Sequence, residues 1–179
     1  MSRDFIDSIS AEYRRYKKLG EGALAQATDA ELSRDSGPED NSLAMLVWHI
    51  AGNLKSRFTD FETADGEKPW RNRDEEFDPR TVSRSELMAK WDDGWKVVFS
   101  ALDALTDESL NKVVTIRQQP LSIHQALHRS IAHTSYHVGQ MVYIAKAFRG
   151  HDWKTLSIPR GASSDFLRRA DPAQRSAKT

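Results

Sequence analysis

The sequence predicts an all-α fold, a four-helix bundle with a short hairpin or extended crossover before its fourth long helix. Three observations lead there. Four segments place apolar residues at helical period, three of them open on helix-start signals, and the connections between them are long enough to cross over. In such bundles a site is built from side chains that project inward from facing helices, so the functional question is which polar residues point in.

The first segment carries Phe5, Ile9, Tyr13, Tyr16, Ala23, Leu24 and Ala27 on one apolar stripe. The second follows the turn-forming stretch DSGPEDN, takes Asn41 or Ser42 as N-cap, and is expected to run to about Ala64. Ser83-x-x-Glu86, a capping box, opens the third, whose apolar face bears Leu87, Trp91, Trp95, Val98, Leu102 and Leu105. A second capping box, Ser122-x-x-Gln125, opens the fourth, which continues to about Phe148 and is stopped by Gly150. VVTIRQQPLSI, β-branched on both sides of a Gln-Gln-Pro turn, supplies the hairpin or crossover.

A chain of 179 residues is long for one domain and short for two, so residues 1–170 are expected to form one helical-bundle domain and 171–179 a frayed C-terminal tail. Lys and Arg number 26 and Asp and Glu 26, and this balance argues against a general nucleic-acid binder, which needs a basic excess to neutralise phosphates. The absence of cysteine excludes thiol nucleophiles, thiolate metal sites, iron–sulfur clusters and disulfides together. No apolar run approaches the roughly 18 residues of a membrane span, and MSRDFIDSIS lacks the pattern of a secretory signal, so a cytoplasmic protein without a membrane partner is expected.

Against the missing cysteines stand six histidines, four of them between His124 and His137. His124 with His128, and His133 with His137, are both i, i+4 pairs, the spacing that lets one metal take two imidazoles from one helix. Phase separates them. His133 and His137 fall on the face of Ile123, Ala126, Leu127, Met141, Ile144 and Ala145, whereas His124 and His128 fall at its edge or beyond. His49 of LVWHIAGN lies at the border of the second segment's apolar arc, on a polar line with Asn53 and Asp60. Three neutral imidazoles from two helices suit a divalent borderline metal such as zinc or nickel and leave positions open for water or substrate. They equally suit core histidines that donate to carbonyls or carboxylates, and spacing and phase leave both readings standing.

One histidine in the second helix and an i, i+4 pair in the fourth, with a crossover before it, resembles the DinB-like (YfiT-like) superfamily of four-helix-bundle metalloenzymes, over about Asp4 to Phe166. Within it, HIAGN with SRFTDF, DGEKPWRNRDEEF, HTSYHVGQ and LSIPRGASSDF look like a bacterial subgroup of unknown function. The resemblance implies a metal, nickel or zinc, held by His49, His133 and His137, and a homodimer. Some members are enzymes dependent on a low-molecular-weight thiol, S-transferases or isomerases, but the sequence matches no thiol-binding signature, so what carries over stops at the metal. With no cysteine in the chain, that thiol would arrive on a cosubstrate.

The remaining candidates are weighed against plainer roles. Arg57, in the middle of an apolar arc, is expected to pair with Asp60 or with acids of the 65–80 segment, or else to bind an anionic substrate group. That dense charged segment reads as a solvated connection or as a lid anchored by Trp70. Asn53 and Asp60 are candidates to fix imidazole tautomers, and Tyr136 and Gln140 to line the approach. LSIPRG could cross the bundle as a strand and bring Arg160 and Ser163 to the site, although a solvated tail is the plainer reading. The functional expectation is a metal-dependent enzyme acting on a small molecule, with thiol-dependent S-transfer as the leading reaction. A non-catalytic metal-binding or dimeric interaction protein and a metal-dependent hydrolase are the alternatives. No glutamate adjoins any of the three histidines in sequence, which weighs against hydrolysis of the zincin kind.

Overall fold

The computed structural model describes residues 2–35, 37, 39–164 and 166. They are mostly helical, with α1 Asp4–Gln26, α2 Asp29–Leu32, α3 Leu43–Phe58, α4 Arg84–Ala104 and α5 Ile123–Arg149, and one small antiparallel sheet of β1 Val113–Ile116 and β2 Gln119–Ser122. The expected tail, 171–179, lies outside the described residues.

Helices α3, α4 and α5 begin where hydroxyl side chains accept the first free backbone N–H groups: Ser42 from Met45, Ser83 from Glu86, Ser122 from Gln125. They share one hydrophobic core. Helix α3 packs along α4 and against α5, and α1 packs along α5 and touches α4. Trp91 and Trp95 are fully buried in that core and tilt edge-on to each other with ring centroids 5.2 Å apart. Gly94 permits the close approach of α3 and α4: a Cβ there would stand 2.7 Å from the Ala51 Cα, inside van der Waals contact.

The structure corrects the sequence reading at two places and, at a third, decides against its less favoured alternative. Helix α3 ends at Phe58, not near Ala64, because Thr59 turns extended (ψ 127°) and Asp60 takes a left-handed φ of 48°. Phe58 and Phe61 still meet, with centroids 5.1 Å apart, so the chain doubles back over its own apolar end. In the hairpin the turn is Arg117-Gln118, and Pro120 sits within β2 opposite Thr115. Both turn residues have positive φ, 55° and 62°, a pair of values that favours Asn-Gly. The Asp65 carboxylate stabilises it, accepting from the backbone N–H of Arg117 at 2.9 Å and of Gln118 at 2.7 Å. Hydrogen bonds from Glu67 N–H and from these turn amides outweigh Asp65's partial burial and hold its pKa down at about 2. LSIPRG, finally, forms bends and a turn rather than a strand.

Candidate metal centre

His49 sits two turns into α3, and His133 and His137 stand one turn apart on the facing side of α5. Each offers a ring nitrogen, and these three atoms lie within 4.8 Å of one another. His49 and His137 are 3% and 8% exposed, and His133 is half-buried.

The partners of these rings decide which nitrogen faces the centre. His49 Nδ1 lies 2.9 Å from Glu76 Oε2, and a carboxylate oxygen only accepts, so Nδ1 carries the proton and Nε2 presents a lone pair. His137 Nδ1 lies 2.8 Å from Gln140 Oε1, which fixes the same tautomer there. Gln140 is itself oriented, donating through Nε2 to the Tyr136 hydroxyl at 3.4 Å. His49 Nε2 and His133 Nε2 stand 3.1 Å apart. Without a metal, a neutral His133 protonated at Nε2 donates to the His49 lone pair; with His133 protonated at Nδ1, where the structure gives it no acceptor, both Nε2 lone pairs face one point and suit a metal ion. A charged imidazolium is disfavoured in either case. Burial, reinforced by His137 and His49 and by the charges of Arg71 and Arg57, pushes the His133 pKa down to about 3. Burial likewise lowers that of His137, against the opposing hydrogen bond to Gln140. Three neutral imidazoles, two of them locked with Nε2 inward, are a donor set that fits a borderline divalent metal.

Glu76 is the residue that sequence reasoning missed. It lies in the short 3₁₀ turn Asp74–Phe77, and Arg71 grips it with Nε and Nη2, each 2.8 Å from a carboxylate oxygen. Burial alone would raise its pKa; the hydrogen bonds from Arg71 and His49 outweigh that and hold the carboxyl below its ordinary range. The space it occupies exists because residue 52 is glycine, since a Cβ on Gly52 would overlap Glu76 Oε1. Phe77 closes the site on its other side, its ring 4.6 Å from that of His49. The 65–80 segment therefore does fold onto the site, but Phe77 and the Arg71–Glu76 pair attach it. Trp70, the anchor expected from sequence, is more than half exposed. A phenylalanine directly after three acids was the available signal that this charged stretch dips inward.

The other expected residues divide. Asn53 lines the cavity beside His49, but the tautomer-fixing role expected of it and of Asp60 falls to Glu76 and Gln140. Asp60 is exposed and lines a separate cleft against α4, because the helix that would have carried it to the site stops two residues earlier. Arg57 lines the cavity and pairs with Glu67 at 3.3 Å while also donating to the Gly66 carbonyl, so the expected ion pair forms with the 65–80 segment rather than with Asp60. Tyr136 is 64% exposed at the rim, its ring 4.8 Å from that of His137. Arg160 and Ser163 are exposed, and neither lines the cavity. His124, His128 and His151 are exposed as well. The cavity in front of the triad measures about 390 Å³ and opens to solvent.

Residues 1–162 match the family described as "Protein of unknown function (DUF1572)". A solved structure with a similar fold is that of a conserved protein from Enterococcus faecalis, 22% identical, with a TM-score of 0.62 over 82% of this chain and 96% of that one. No curated protein matches the chain. Among the described residues no helix is long and apolar enough to cross a membrane.

Proposed function

The chain belongs to the DUF1572 family, and from that premise we propose that it is a divalent-metal-binding protein with a DinB-like four-helix-bundle fold, acting as a metal-dependent enzyme on a small molecule. His49, His133 and His137 are the proposed ligands. The observation that carries the reading is three imidazole nitrogens within 4.8 Å of one another, with Nδ1 of His49 held by Glu76 and Nδ1 of His137 by Gln140, so that both rings turn Nε2 toward His133. Zinc or nickel bound there would supply a Lewis acid with coordination positions open to substrate. Glu76 keeps His49 in the donating tautomer and strengthens it as a donor, and Phe77 restricts water on that side.

The reaction proposed is group transfer or removal with a low-molecular-weight thiol, as in some members of the DinB-like superfamily that the chain resembles, by a cytoplasmic homodimer. Hydrolysis is the less favoured chemistry on a specific ground. Glu76 is the carboxylate bonded to the triad, and it sits on the Nδ1 side of His49, engaged by Arg71, rather than on the Nε2 side where a general base would be needed. A non-catalytic metal-binding or dimeric interaction protein is the second reading.

Elemental analysis of protein purified without an affinity tag, beside His133→Ala, tests the centre: about one metal per chain in the wild type and loss in the variant is expected, and equal, near-zero metal in both overturns it. Titration of the cobalt-substituted protein with thiols then separates the readings. A change in the visible spectrum supports thiol chemistry; no change with any thiol removes it. Sedimentation analysis checks the homodimer.

A further inference from the structure

Five arginines, Arg57, Arg71, Arg73, Arg117 and Arg129, line the 390 Å³ cavity in front of the histidine triad, and no aspartate or glutamate lines it. In a chain whose formal charges cancel, this is a local concentration of one sign. The carboxylates that answer these arginines account for only part of it. Glu67 is shared between Arg57 at 3.3 Å and Arg117 at 2.7 Å, Glu76 serves Arg71, and Asp74 lies 3.8 Å from Arg73 while almost wholly exposed. Arg129 makes no ion pair among the described residues.

A second observation is independent of that tally. The Arg71 side chain is 2% exposed, Glu76 takes its Nε and Nη2, and its Nη1 is buried with no hydrogen-bond acceptor. A buried charged donor without a protein acceptor is costly and is completed by an oxygen from outside the chain, that of a water or of a ligand that displaces it. We propose that the cavity binds a small oxyanion, a carboxylate or phosphate group of the substrate, with Arg71 as the inner donor and Arg129 and Arg73 at the rim. Guanidinium groups suit such a ligand because their planar forks match two oxygens at once. The volume admits a metabolite-sized molecule and not a polymer. The inference rests on the reading of this pocket as a small-molecule site and adds the chemical class of what enters it. Its arginine half can be tested with or without metal.

The experiment is calorimetric titration of the full-length protein, zinc-loaded and metal-free, with malonate, inorganic phosphate and the neutral malonamide, in a non-anionic buffer at two salt concentrations. Metal content is measured on the same samples. At least one anion is expected to bind roughly tenfold or more tighter than malonamide and to weaken with salt. Arg129→Gln should cost roughly tenfold and the Arg73→Gln, Arg129→Gln pair more, with Arg15→Gln, an exposed α1 arginine that does not line this cavity, as a neutral control. Whichever of malonate and phosphate binds tighter identifies the oxyanion. Anions that bind no better than malonamide, or arginine variants that bind as the wild type does, overturn the proposal. Zinc uptake without anion preference overturns it alone; arginine-dependent anion binding in protein that takes up no zinc overturns the metal centre and leaves it standing. Circular dichroism confirms that the rim variants are folded, and the malonamide and salt comparisons on the wild type decide the question without them.

Discussion

Helix α5 carries two histidine pairs of identical spacing, and they end in opposite circumstances. His133 and His137 face α3 and meet His49; His124 and His128 are exposed, their rings tilted against Phe5, and the Nδ1–H of His128 donates to the His124 carbonyl at 3.0 Å. The i, i+4 interval is common to both, so it cannot be what makes a site. What differs is the neighbour. One pair looks across at a third imidazole with its tautomer fixed by a carboxylate; the other looks at a phenylalanine and solvent.

The largest test of that contrast is to remove one ring from each pair. His133→Ala should abolish stoichiometric metal, whereas His128→Ala should retain it in full; elemental analysis of both reads the difference directly. The next removes what distinguishes the inner pair's surroundings. Glu76→Gln should lower metal affinity about 10- to 100-fold, because the His49 ring loses the carboxylate that fixes and polarises it, and Gly52→Ala should move the same way by displacing Glu76. Competition with a chromogenic chelator measures both.

A smaller effect comes from protons. In the unfolded chain His133 takes up a proton near pH 6.5, but in the folded metal-free protein only near pH 3, so the folded state becomes relatively less favourable as pH falls through that window. Denaturant midpoints of metal-free protein should therefore fall between pH 7 and pH 5, and His133→Gln should flatten the slope. The smallest expected effect lies at the outer end of α5, which the hairpin leads into. Asp65→Asn weakens the hydrogen bonds to the turn amides and should cost about 1–3 kcal/mol of stability with metal content unchanged, measured by urea unfolding.

The helix wheel made the triad legible before any coordinates, because His49, His133 and His137 all lie well inside continuous helices where 100° per residue holds. The same wheel misplaced Asp60, for the phase was carried two residues past the end of α3. Glu76 was invisible for a different reason. It belongs to a segment with no period, where Glu75 and Glu76 are neighbours in sequence and only a 3₁₀ turn sends one outward and the other to His49. The mostly helical fold and its hairpin were written in the periodicity and the capping serines. The turn was read late by one residue because proline was taken to mark it, whereas Pro120 lies in the second of two strands where its missing N–H is tolerated.

The Arg117-Gln118 turn holds two left-handed residues with side chains, an arrangement that costs on the order of 1 kcal/mol for each relative to glycine or asparagine. Thermostability engineering would replace the pair with Asn-Gly, and the exchange would succeed by that measure. It would also strip a cation from the rim of the cavity. A more durable hairpin and an intact mouth are thus competing goals at the same two positions, and selection for heat resistance alone would be expected to erode ligand capture there first.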